Sequence, residues 1–195
     1  MAGSAPRVGV LALQGAFREH EQALERLGAD ACEVRVPDDL EGLDGLVLPG
    51  GESTTMDLLL DSSGLREPLA DAIGSGLPVF GTCAGLILLA RDIEDGTARQ
   101  RSFAALDVTA RRNGYGRQVR SFEADLAVAG EADPMRGVFI RAPRITRTGP
   151  DVEILAELDG EPVCVRAGSI MAATFHPELT GDDRLHARFL AGLET

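Results

Sequence analysis

Apolar side chains are distributed along this chain in two ways. Through the first half, short unbroken apolar runs alternate with segments whose apolar positions recur every three or four residues. Residues 8–13, Val8-Gly-Val-Leu-Ala-Leu13, form one run and stop at Gln14-Gly15. Ala16, Ala23, Leu24 and Leu27 then recur at helical spacing up to Gly28, which predicts a strand followed by a helix. Further strands are expected at 31–36, 45–48 and 78–81. Helices are expected after Pro49-Gly50-Gly51, with a cap within Ser53-Thr54-Thr55, and over 65–75 and 84–92. Beyond Gly96 strands dominate, at 106–111, 118–128, 138–140, 152–158, 163–166 and 169–174. Asn113-Gly114 and Asp159-Gly160 carry hairpin-turn chemistry between them. A final helix should start near Asp182-Asp183 and turn Leu185, Phe189 and Leu190 inward. Strands alternating with helices predict an α/β fold: a three-layer sandwich whose central sheet is mixed and largely parallel, with an antiparallel extension.

The chain's 195 residues suit one domain, residues 1–195, with no repeat or linker to divide it. Its formal charge of −12 repels phosphate backbones and anionic membranes, which argues against nucleic acid and membrane partners. Cys32, Cys83 and Cys164 are odd in number and far apart, so neither a disulfide framework nor a metal site is suggested, and a reducing cytoplasm fits. The apolar run at 8–13 is too short for a signal segment or a membrane span, so the protein reads as soluble and unexported.

One cysteine stands out by its surroundings. In Phe80-Gly-Thr-Cys-Ala-Gly-Leu86 it lies between two glycines where an expected strand becomes a helix. A packed structural cysteine needs no such clearance. A nucleophile on a sharp strand-to-helix elbow does, and there the following helix aims its amides at the sulfur and favours thiolate. Downstream, Thr174-Phe-His-Pro-Glu178 sets His176 and Glu178 two apart, and Pro177 is expected to hold the chain extended so that both face one way. Glu178 can then orient His176 while its other ring nitrogen faces the Cys83 thiol. Adjacent glycines in Leu48-Pro-Gly-Gly-Glu-Ser-Thr-Thr55 can present amides to an oxyanion, with Gly51 and Ala84 as the donor pair. His20 and His186 sit in helical segments among charged neighbours, and His186 reads as solvated.

Together these stretches resemble the class I, or triad, glutamine amidotransferases, a flavodoxin-like fold. Leu11-Ala-Leu-Gln-Gly-Ala16, Arg18-Glu-His20, Pro49-Gly-Gly-Glu-Ser-Thr-Thr-Met56, Arg112-Asn113, Gly116-Arg-Gln-Val119, Ser121-Phe-Glu-Ala-Asp125 and Gly137-Val-Phe-Ile-Arg-Ala-Pro143 narrow the resemblance to the glutaminase subunit of pyridoxal 5′-phosphate synthase, the PdxT/SNO family. Tyr115, where that family often has phenylalanine, Gly114 and the loop from Gly96 to Phe103 depart from its pattern. The resemblance implies a Cys83, His176 and Glu178 relay, glutamine contacts from Gly51, Glu52, Ser53, Arg112, Ile140 and Arg141, and no cofactor or metal. It also implies a synthase subunit of the PdxS/SNZ family as partner in a large hetero-oligomer, with Gln14, Gly15, Arg18 and His20 as interface residues. A stand-alone cysteine hydrolase of the DJ-1/PfpI type and a non-catalytic glutamine-sensing subunit remain as alternatives.

Overall fold

Both faces of the central strands are apolar, so successive side chains enter different cores. The computed structural model describes residues 4–97, 100–115 and 121–193. Strand β3 (Gly45–Leu48) sends Leu46 and Leu48 into one core and Val47 into the other. Strand β4 (Val79–Thr82) divides Val79 from Phe80 in the same way. Each burial removes apolar surface from water at about 25 cal/mol per Å², so a sheet lined on both sides must be covered on both sides.

The cover comes from helices α1 (Phe17–Arg26), α2 (Ser53–Ser62), α3 (Arg66–Gly74), α4 (Ala84–Leu89) and α5 (Arg184–Ala191). Leu24 of α1 and Leu185 and Phe189 of α5 join the core under Phe80, whereas Met56, Leu60, Leu69 and Leu86 of α2, α3 and α4 fill the opposite one. The remaining central strands are β1 (Arg7–Leu11), β2 (Asp30–Val34), β10 (Glu153–Leu158), β11 (Glu161–Ala167) and β12 (Ile170–Ala173). They give a seven-stranded sheet in the order β10-β11-β12-β4-β3-β1-β2. From β2 to β12 neighbours run parallel, and β11 is antiparallel to β12 and to β10. The mixed sheet with its antiparallel extension is therefore present. Asp159 and Gly160 join β10 to β11 with φ of 53° and 80°, the left-handed pair that a two-residue hairpin requires.

Several expectations need correction. The segment expected as one helix over 84–92 is α4 followed by a strand, β5 (Ala90–Glu94), which pairs parallel with β6 (Leu106–Arg111). A strand that was not expected, β9 (Arg144–Thr148), completes that three-stranded sheet. Strands β7 (Ser121–Leu126) and β8 (Met135–Ile140) form a separate antiparallel pair. The start of the strand expected at 118–128, and the Gly116 to Val119 motif, lie outside the described residues. Helix α2 is capped by Glu52 instead of a Ser or Thr; its carboxylate accepts from the amides of Thr54 at 3.2 Å and Thr55 at 2.8 Å. No helix among the described residues is long and apolar enough to cross a membrane.

Candidate active site

The carboxyl ends of β1, β3, β4 and β12 open on one edge of the sheet, and the loops leaving them carry Gln14, Gly50-Gly51, Cys83 and His176. Cys83 sits between β4 and α4 with φ 48° and ψ −103°, a conformation that few non-glycine residues adopt. The glycines on either side explain how the chain tolerates it. A Cβ on Gly85 would land on the Leu48 carbonyl oxygen, and one on Gly81 would press on Leu89 and the Gly85 backbone. Their absence lets α4 fold back against β3 and β4. Cys83 is only 6% exposed. It lines a cavity of about 270 Å³, through which its sulfur is reached.

His176 lines the same cavity, its backbone amide donating to the Val138 carbonyl at 2.8 Å. Its Nδ1 lies 2.7 Å from Glu178 Oε1, and Cys83 stands close enough to act on the ring by hydrogen bonding and charge. Cys83, His176 and Glu178 are thus brought together in the expected order. Pro177 achieves this differently from the expectation, because residues Pro177–Leu179 form a 3-10 turn and not an extended run. Burial opposes charge on His176. Its hydrogen bonds to Cys83 and Glu178, with attraction to both, outweigh burial and raise the imidazole to about 10. The ring is therefore held as imidazolium at neutral pH.

Gly51, Glu52, Ser53, Ala84, Arg112, Ile140 and Arg141 all line the cavity, as do Ile87 and Asn113, which the sequence reading missed. Arg112 Nη2 pairs with Glu52 Oε1 at 3.0 Å. Burial would raise the Glu52 carboxyl, but hydrogen bonds from Thr55 and Thr54 hold it below its ordinary value. One face of the cavity thus offers a cation and a carboxylate side by side, the complement of an α-amino acid head group. Arg141 at the rim has φ 44°. Ser53 Oγ accepts from Gln100 Nε2 at 2.9 Å, a contact from the loop after β5.

The residues expected at a partner interface divide. Gly15 and Arg18 are exposed. Gln14 lines the cavity, and its Oε1 accepts from the Glu52 amide at 2.8 Å. His20 is fully buried and cannot meet a partner. His186, expected to be solvated, is fully buried too. His20 Nδ1 lies 2.8 Å from His186 Nε2, and His20 Nε2 lies 3.1 Å from Thr82 Oγ1 and 3.4 Å from Glu178 Oε2. Their spacing carries the signal: His20 shares a helix face with Ala23 and Leu24, and His186 adjoins Leu185 and precedes Phe189 by one turn. Among the described residues, no group of three or more His, Cys, Asp or Glu side chains is placed to hold a metal ion.

The family model described as the SNO glutamine amidotransferase family matches residues 10–195. The chain is 57% identical over 188 residues to a protein of Parafrankia sp. (strain EAN1pec) named pyridoxal 5′-phosphate synthase subunit PdxT, covering 96% of this chain and 93% of that one. It is 56% identical over 192 residues to the protein of the same name from Leifsonia xyli subsp. xyli, covering 97% and 96%. A crystal structure described as a glutamine amidotransferase superposes with a TM-score of 0.90 at 50% identity, over 96% of this chain and 99% of that one.

Proposed function

Because the chain belongs to the SNO glutamine amidotransferase family, we propose that it is the glutaminase subunit of a pyridoxal 5′-phosphate synthase, releasing ammonia from L-glutamine for a synthase partner. The observation that carries the chemistry is Cys83 on a strained elbow, sharing a cavity of amino-acid size with a His176 that Glu178 orients. In this reading Arg112 takes the substrate α-carboxylate and Glu52 its α-ammonium, with Ser53, Ile140 and Arg141 completing the wall. Cys83 thiolate attacks the side-chain amide carbon. The amides of Gly51 and Ala84 stabilise the oxyanion, and the His176 imidazolium gives its proton to the departing ammonia. A γ-glutamyl thioester remains. His176, now neutral, takes a proton from water as it attacks the thioester carbon, and glutamate leaves with the thiolate restored.

Gly15 and Arg18 mark the face on which the synthase, of the PdxS/SNZ family, docks. The whole chain acts as one domain, in the cytoplasm. Two arms test the reading. Cys83→Ala should abolish glutamate release with the fold intact, while Cys32→Ser and Cys164→Ser keep substantial activity. The synthase should meanwhile form product from ammonium salts without this chain, yet need it, with Cys83, when glutamine is the nitrogen source. Hydrolysis surviving in Cys83→Ala would sink the proposal.

A further inference from the structure

The triad's carboxylate is tied down on one side only by the groups so far assigned. Glu178 is 6% exposed; Oε1 meets His176, and Oε2 is buried without a hydrogen bond among the described residues. A buried carboxylate oxygen with no donor is costly, and a carboxylate held at one atom can rotate away from the ring it orients. The one ring nitrogen that faces Oε2 at close range is His20 Nε2, at 3.4 Å. Catalytic hydrogen bonds are often long in an unliganded site and tighten with substrate.

We propose that His20, backed by His186, is a positioning residue for this reaction: its Nε2–H fixes Glu178 from behind, so that Glu178 fixes His176. This rests on the glutaminase reading above. Counting protons selects the arrangement. Burial first, then the neighbouring His186 and His176, push His20 well below its ordinary value, and burial pushes His186 down to about 4, so both rings are neutral with one N–H each. With the proton on His20 Nε2, that N–H donates to Thr82 Oγ1 with Glu178 Oε2 3.4 Å away and within reach on tightening, while bare Nδ1 accepts from His186 Nε2–H. The loose ends are then a bare, buried His186 Nδ1 and, until the contact tightens, Glu178 Oε2. In the opposite arrangement His20 Nδ1–H donates to His186, a buried N–H on His186 Nδ1 has no acceptor, and the His20 Nε2 lone pair faces the Glu178 carboxylate. That alternative keeps the Thr82 contact by reversing it, but it leaves a buried N–H without an acceptor and sets a lone pair against the carboxylate.

A ring in this place does more than fill space. His20 packs edge-on to Phe80, and Phe80 in turn meets His186 and Phe189, so α1 and α5 hold the pair rigidly. The chain of contacts therefore runs from the central core to the nucleophile through His186, His20, Glu178 and His176.

Replacing His20 by Gln, Asn and Leu separates support from packing. A Gln amide reaches where His Nε2 lies and keeps the donor toward Glu178. An Asn amide reaches only where Nδ1 lies and loses it. With synthase present, His20→Leu and His20→Asn should lower kcat for glutamate release roughly ten- to a hundredfold, the size of one hydrogen bond to a charged group, with KM changed less than about threefold. His20→Gln should recover most of kcat. Iodoacetamide labelling of Cys83 at neutral pH, read on the Cys83 peptide of the isolated chain, should slow in His20→Asn and not in His20→Gln, which needs neither turnover nor the Leu variant. Equal behaviour of Gln and Asn, or a His20→Leu enzyme with unchanged kcat, overturns the positioning role. Cys83→Ala run alongside reports on the glutaminase reading itself, whatever His20 does.

Discussion

A Cβ at position 50 would land on the His176 ring, with its closest approach to Cε1, so the strand-end glycine is as necessary to the imidazole as Glu178 is. Displacing a catalytic group by an ångström can cost about a hundredfold in rate. Gly50→Ala should therefore reduce glutamate release at least tenfold while the melting temperature moves only a few degrees; full activity would show that the ring has room to shift. Charge at the same residue has a thermodynamic consequence. The folded state raises His176 from 6.5 to about 10, so it binds a proton more tightly than the unfolded chain does. The resulting stabilisation is fully present below pH 6.5 and is lost as pH rises toward about 10. Urea denaturation across that window should show the wild type losing stability faster than His176→Asn, and parallel curves would contradict the bound proton.

Helices α2 and α3 are locked to each other by a buried ion pair. Arg66, 8% exposed, pairs with the carboxylate of Asp57, 4% exposed, and also holds the Asp57 carbonyl at 2.6 Å and Asp61 Oδ1 at 2.5 Å. Removing one member of such a pair strands the other without water, at roughly 3–5 kcal/mol, whereas replacing both with apolar groups is often nearly neutral. Arg66→Ala should cost about 3 kcal/mol by denaturant titration, and Asp57→Leu with Arg66→Met should recover much of it; an Arg66→Ala loss below about 1 kcal/mol would make the pair decorative. Elements like these show what was legible in the chain. A strand buried on both faces reads as an unbroken run, as 45–48 does for β3, and alternating Leu106, Val108 and Ala110 mark 106–111 as β6, buried mainly on one face. Nothing in Leu89-Ala90 breaks a helix, and β5 begins there because β6 offers it a partner, a long-range choice that local spacing does not record. By contrast β9 was legible: Ile145, Thr146 and Thr148 lie between Pro143 and Gly149-Pro150. The grouping of Cys83, His176 and Glu178 was legible because an elbow and a His-x-Glu pair are short motifs, whereas the helical spacing that buries His20 and His186 was masked by charged neighbours on other faces of their helices.

At the scale of the whole molecule, the site draws on residues from 14 to 178, so it forms only when β12, β4, β3 and β1 stand side by side in the sheet. The turn after β1 touches the Gly50-Gly51 loop directly. Gln14 Oε1 holds the Glu52 amide at 2.8 Å, and the Ala16 amide donates to the Gly50 carbonyl at 3.2 Å. Gly15, with φ 97°, closes this turn against the Gly50 carbonyl while staying exposed on its outer side. A synthase pressing on Gly15 and Arg18 would thus act on the peptide groups to which the proposed mechanism assigns the oxyanion. Adjacent Gly50 and Gly51 leave those peptides more than one orientation, and docking can select the productive one. If that orientation is about 1% populated in the free chain, full selection raises turnover up to roughly a hundredfold. Glutamate release should accordingly be slow for the isolated chain and climb with added synthase to a plateau. Gln14→Ala removes the side-chain tie between turn and loop and leaves only the Ala16 amide, so its plateau should fall well below the wild type even where sedimentation shows the same binding. Identical rates with and without bound synthase would remove gating and leave Cys83, His176 and Glu178 as they stand.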